Sequence, residues 1–99
     1  MRAAVMENKM LNVEDMAEPR PGPGEVLVKT LACGICGSDL HALKHFDDFV
    51  AASREAGTFE FDPTAKIVMG HEFCAEILDH GPQTSGRLRP GSRVCALPI

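Results

Sequence analysis

"LACGICGSDLHALKHF", residues 31–46, crowds two cysteines, an aspartate and two histidines into the span from Cys33 to His45. The run that enters it, "EVLVKTLA" (25–32), alternates with Val26, Val28 and Thr30 on one face and Leu27, Lys29 and Leu31 on the other. That period of two predicts a strand. The run that leaves it, "DLHALKHF" (39–46), has Leu40, Leu43 and Lys44 at helical spacing, with Ser38 or Asp39 placed to cap a short helix. The stretch is therefore a strand-to-helix junction loaded with metal-binding and redox side chains.

Outward from the junction, extended segments dominate. Residues 2–6 and 10–16 read as strands, and "EPRPGPGE" (18–25) is a turn segment whose prolines and glycines forbid a helix. "DDFVAASREAG" (47–57) predicts a helix with Asp47 as N-cap, Phe46, Phe49 and Val50 on one face, and Gly57 as its stop. "TFEFDPTA" (58–65) reads as a loop or short extended piece. "KIVMGHEFCAEILDHG" (66–81) carries two apolar runs around Gly70, the second a strand, and "RPGSRVCALPI" (89–99) is a turn entering a strand. The expected fold is mainly β: a small, partly open barrel with short helices and one helical insertion around residues 45–57.

Size and composition narrow the function. Ninety-nine residues make one small domain at most, and 44% hydrophobic with 24% charged residues is ordinary for a folded domain. A net charge of −4 with no Lys/Arg cluster argues against a nucleic-acid partner. No apolar run reaches membrane-span length and the N-terminus lacks a signal-peptide core, so a cytoplasmic protein with no membrane partner is expected. In that compartment Cys33, Cys36, Cys74 and Cys95 are expected as free thiols or metal ligands. The apolar ending "RVCALPI" predicts that the chain is part of a longer protein. "GPGEVL" resembles a dinucleotide fingerprint but precedes its strand and lacks the third glycine, so no nucleotide-binding unit is expected.

Three chemistries fit the junction. Cys33-Gly34-Ile35-Cys36 is a C-x-x-C ahead of a helix, as in a thiol redox pair, but no βαβ pattern surrounds it. Cys33, Cys36, His41 and His45 have the spacing of a structural zinc knuckle, giving a non-enzymatic small β-barrel as the alternative function. A catalytic metal needs a distant partner element, and "GHE" supplies it: a thiolate from Cys36, an imidazole from His71, and a carboxylate from Glu72 as alternate ligand or nearby charge.

"CGICGSDLH", then "GHE", together with "PGPGEVLVK" before them and "GSRV" after, resembles the zinc-dependent alcohol dehydrogenases of the medium-chain dehydrogenase/reductase superfamily. The resemblance spans essentially the whole chain and implies the front part of the family's GroES-like catalytic domain, residues 1–99, without the nicotinamide-binding Rossmann domain. It implies that Cys36 and His71 are the first two catalytic zinc ligands, with the third downstream, and that Glu72 stands beside them. Asp39 resembles the carboxylate that accepts a hydrogen bond from the zinc-bound histidine. Ser38 and His41 resemble a relay carrying the alcohol proton outward. The implied partners are a small-molecule alcohol, aldehyde or ketone, NAD or NADP, and identical subunits in the parent enzyme; this chain alone is expected to be inactive.

The sequence departs from the family pattern in a longer segment between Cys36 and His71, with the excess around residues 45–65, in Ala75 where glycine is usual, and in Ser92 where aspartate is usual. Cys33, Cys74 and Cys95 read more simply as buried thiols in strands, and His45 and His80 as surface histidines at element ends. Phe46, Phe49, Phe59 and Phe61 either pack the insertion or wall a substrate cleft.

Overall fold

A computed structural model describes residues 1–57, 62 and 64–97. Along the chain they form β1 (Arg2–Glu7), β2 (Met10–Asp15), β3 (Val26–Gly34), α1 (Gly37–Lys44), α2 (Phe46–Ala56), β4 (Ile67–Val68), β5 (Glu72–His80) and β6 (Arg93–Cys95). The mainly β character is as expected. The strands make two three-stranded sheets, β2-β1-β4 and β3-β5-β6, and no closed barrel forms among the described residues. The chain divides into two compact units, Met1–Met16 with Cys36–Met69, and Ala17–Ile35 with Gly70–Ile99.

The first unit is built on β1. It pairs antiparallel with β2 from Arg2↔Asp15 to Glu7↔Met10 and with β4 through Val5↔Val68 and Met6↔Ile67. Asn8 and Lys9 close the β1–β2 hairpin with φ of 51° and 63°, the two positive values that a type I′ turn demands. One face of this sheet carries Met6, which is buried with Phe46 and Val50 of α2, while Leu43, Ile67 and Met69 pack around them. Phe46, Val50 and Ser53 form the buried stripe of α2, at the i, i+4, i+7 spacing of one helix face. Phe59 and Phe61 lie outside the described residues, and so does most of the 58–65 segment.

Helix boundaries differ from the sequence reading at their starts. Cys36, not Ser38 or Asp39, is the N-cap of α1. Asp39 sits three residues in and accepts a hydrogen bond from the Cys36 N–H at 3.2 Å, the backward arm of a capping box. In α2 the cap is His45, and Asp47 falls with Asp48 in the first turn, where negative charge complements the helix dipole. Gly57 ends the helix as expected, left-handed at φ 66°, its N–H bonded to the Ser53 and Arg54 carbonyls.

The second unit is centred on β5, antiparallel to β3 on one side and β6 on the other. Ala75 and Ile77 are its fully buried positions. The even alternation predicted for 25–32 does not survive. The β3–β5 register shifts between Leu27 and Val28 and again between Thr30 and Ala32, leaving Leu31 as an extra, exposed residue. The first shift leaves Leu78 of β5 without a partner and the second leaves Leu31, so a strict period of two cannot run through either strand. Below the sheet the "PGPGE" loop crosses the Gly81 backbone. Gly81 donates to the Glu25 carbonyl and Gly24 to the Pro82 carbonyl, and a Cβ on Gly81 would run into the Gly22 carbonyl oxygen.

The entry to β6 is a tight device. Arg89-Pro90-Gly91-Ser92 closes through Ser92 N–H to the Arg89 carbonyl with Gly91 at φ 87°, the pattern of a type II turn. Gly91 and Ser92 then both face Ile77: Gly91 donates to the Ile77 carbonyl and Ile77 donates to the Ser92 carbonyl. That is a glycine bulge, and it sets the phase of the whole β5–β6 ladder.

Candidate metal centre

The last pair of the β3–β5 ladder is Gly34↔Glu72. Cys36 follows Gly34 by two residues and His71 precedes Glu72 by one, so covalent reach alone holds both near that pair. Cys36, His71 and Glu72 thereby constitute a donor group able to hold a metal ion. Cys36 and His71 are half-buried, and Glu72 is exposed. One sulfur, one imidazole nitrogen and one carboxylate is a set that Zn²⁺ accepts, so the residues present fit a zinc ion chemically.

Glycines shape the approach to this end of the ladder. Gly70 adopts φ 100°, and a Cβ there would stand 2.8 Å from the Cys33 sulfur. Gly34 has Glu72 close as well: a Cβ would meet its Oε2 at 3.2 Å. Cys33 itself is exposed, and its thiol donates to the Gly34 carbonyl at 3.5 Å. It belongs to the strand ladder, opposite Phe73, and the knuckle of Cys33, Cys36, His41 and His45 is not a converging donor group among the described residues.

Ser38, Asp39 and His41 all lie on α1. Ser38 and His41, three residues apart, share one face of the helix. Both are exposed, and the His41 ring lies against that of His45 with centroids 4.8 Å apart. Asp39 is half-buried and anchored to the Cys36 N–H.

Other cysteines and histidines depart from the sequence reading. Cys95 is exposed and Cys74 only half-buried, so neither is a sealed core thiol. They stand directly opposite one another across β5 and β6, a pairing their spacing in sequence does not disclose. His80 is half-buried at the end of β5, and its Nε2 hydrogen-bonds with the Leu88 carbonyl, tying down the loop before β6.

Comparison with known proteins adds an independent line. Residues 22–99 match the model of the alcohol dehydrogenase GroES-like domain. The chain is 36% identical over 100 residues to the (R,R)-butanediol dehydrogenase of Bacillus subtilis, covering all of this chain and 28% of that protein. It is 35% identical over 96 residues to the L-threonine 3-dehydrogenase of Streptomyces coelicolor, covering 95% and 25%. It superposes on the 2R,3R-butanediol dehydrogenase structure from Bacillus subtilis with a TM-score of 0.68 at 30% identity, covering 95% of this chain and 26% of that one. The 99 residues thus span about a quarter of the length of these relatives.

Proposed function

Because the chain belongs to the family of alcohol dehydrogenase GroES-like domains, we propose that it is part of the catalytic domain of a zinc-dependent alcohol dehydrogenase linked to NAD or NADP. The observation that carries the proposal is the Gly34↔Glu72 pair, which keeps Cys36, His71 and Glu72 at one end of one ladder. The relatives named above are dehydrogenases of a diol and of a hydroxy amino acid, so the substrate proposed is a small alcohol or its aldehyde or ketone partner. An assembly of identical subunits in the cytoplasm belongs to the same proposal.

Cys36 and His71 would hold the zinc, with Glu72 as alternate ligand or neighbouring charge. When bound, the ion polarises an alcohol or carbonyl oxygen. Asp39, held in place by the Cys36 N–H, accepts the remaining ring N–H of His71 and so fixes its tautomer. The Ser38 hydroxyl takes the substrate proton without holding charge. His41, on the same helix face and open to solvent, passes it outward. The nicotinamide would be bound by residues beyond these 99, since the sequence holds no G-x-G-x-x-G between a strand and a helix. The 99 residues alone are expected not to turn over and to hold zinc weakly, with a third strong ligand still to be supplied.

Cobalt substitution of the complete enzyme tests the proposal. Cys36→Ser should weaken the thiolate-to-cobalt absorption and His71→Ala should release the metal. Asp39→Asn should weaken metal affinity by about 10–100-fold, and Cys33→Ser should leave the spectrum unchanged. A two-thiolate spectrum abolished by Cys33→Ser would overturn the proposal in favour of the zinc knuckle.

A further inference from the structure

We infer that Cys74 and Cys95 form a disulfide-forming site: a cross-strand thiol pair on β5 and β6 that low-molecular-weight disulfides such as oxidised glutathione convert to an internal disulfide. The inference rests on ladder phase. Ile77 donates to the Ser92 carbonyl, and the pairing continues through Glu76↔Arg93, Ala75↔Val94 and Cys74↔Cys95. In an antiparallel ladder, hydrogen-bonded and non-hydrogen-bonded pairs alternate. Ile77 and Ser92 are a bonded pair, so Glu76↔Arg93 is not, Ala75↔Val94 is, and Cys74↔Cys95 is again not. Non-hydrogen-bonded partners approach to about 4.5 Å between Cα atoms, with side chains on the same face. A disulfide needs Cα atoms about 4.4–6.8 Å apart, so this position admits one without moving either strand, whereas displacing one cysteine by a single residue would put the thiols on opposite faces.

Access fits a two-step exchange. Cys95 is exposed and Cys74 half-buried, and both are free thiols. The Cys95 thiolate attacks one sulfur of the small disulfide, forming a mixed disulfide and expelling one small thiolate, which takes up a proton. The Cys74 thiolate then attacks the Cys95 sulfur, closing the internal disulfide and expelling the second small thiol. Two protein thiols are oxidised, one small disulfide is reduced to two thiols, and the two protons end on the leaving thiols. The product staples β6, a strand of three residues, to the centre of its sheet.

The test uses the full chain, reduced and then equilibrated in reduced and oxidised glutathione, alkylated, and digested with trypsin without reduction. Cleavage after Arg87 and Arg93 separates the two cysteines, so a disulfide between them appears as two joined peptides. The expected result is a Cys74–Cys95 joined peptide as the principal disulfide product. Cys74→Ser should instead accumulate glutathione on Cys95, because the resolving thiol is gone. Moving the thiol by one position, Val94→Cys with Cys95→Ser, should cut the joined product at least about tenfold, as expected for a thiol that cannot reach its partner. Persistent glutathione on Cys95 in the unaltered chain, both cysteines remaining fully alkylated, or equal yield from the displaced thiol would each overturn the inference.

Discussion

At the residue scale, Gly70 shows how a motif letter acquires a physical reason. In sequence it is the first residue of "GHE"; in the structure it holds φ 100° with the Cys33 sulfur only 2.8 Å from where its Cβ would stand. An L-residue there meets both backbone strain and overpacking. We expect Gly70→Ala to lower unfolding free energy by about 2 kcal/mol or more, read by urea denaturation. Truncating Cys33 as well should restore only part of the loss, because the dihedral strain remains. Cys36, His71 and Glu72 could be named as one donor group from the sequence, but it could not show that Asp39 accepts the Cys36 N–H. A cap is chosen by local backbone geometry, and cysteine is not among the residues that ordinarily announce one.

At the element scale, the β1–β2 hairpin carries a correctable defect. Lys9 sits at φ 63°, a conformation that costs a side chain about 1 kcal/mol and glycine little. Its ion pair with Asp47, 2.8 Å long, joins two exposed side chains and contributes little. Lys9→Gly should therefore stabilise the chain by up to about 1 kcal/mol, visible as a higher denaturation midpoint. An unchanged or lower midpoint would mean that the ion pair outweighs the turn. Strand positions were legible from short apolar runs bounded by proline and glycine turns, although Leu11 and Val13 of β2 stay exposed. Register was not, because the shifts at Leu27/Val28 and around Leu31 answer to the facing strand β5. The turn before β6 was legible from Pro90-Gly91, yet its effect on Cys74 and Cys95 emerges only when the ladder is counted out.

Lys66 shows how β4 is held within the first unit. Its ammonium bonds Glu14 at 2.9 Å and lies 3.8 Å from Glu7, joining the segment before β4 to both strands of the hairpin. The hydrogen bond to Glu14, then the Glu14 charge and then that of Glu7, raise the Lys66 pKa above its ordinary 10.5. A raised folded-state value means the contribution is whole below pH 10.5 and fades as pH climbs through the shifted value. Lys66 is exposed, so solvent screening keeps the effect small. Lys66→Met should flatten the stability profile above pH 10.5 while leaving its shape at neutral pH unchanged.

At the scale of the whole molecule, the order of the segments matters as much as their contacts. Each compact unit is drawn from two separated stretches, and the stretches interleave: Met1–Met16, Ala17–Ile35, Cys36–Met69, Gly70–Ile99. On a ribosome adding about 5–20 residues per second, the first unit has all its strands and helices once Met69 has emerged. β3 by then has waited through the synthesis of both helices without β5, the strand that will cover its hydrogen-bonding edge. The nascent chain thus carries an open strand edge for about 2–9 s, the time taken to add residues 35–80. Premature pairing with another nascent chain during that interval is the hazard this topology creates for its own biosynthesis.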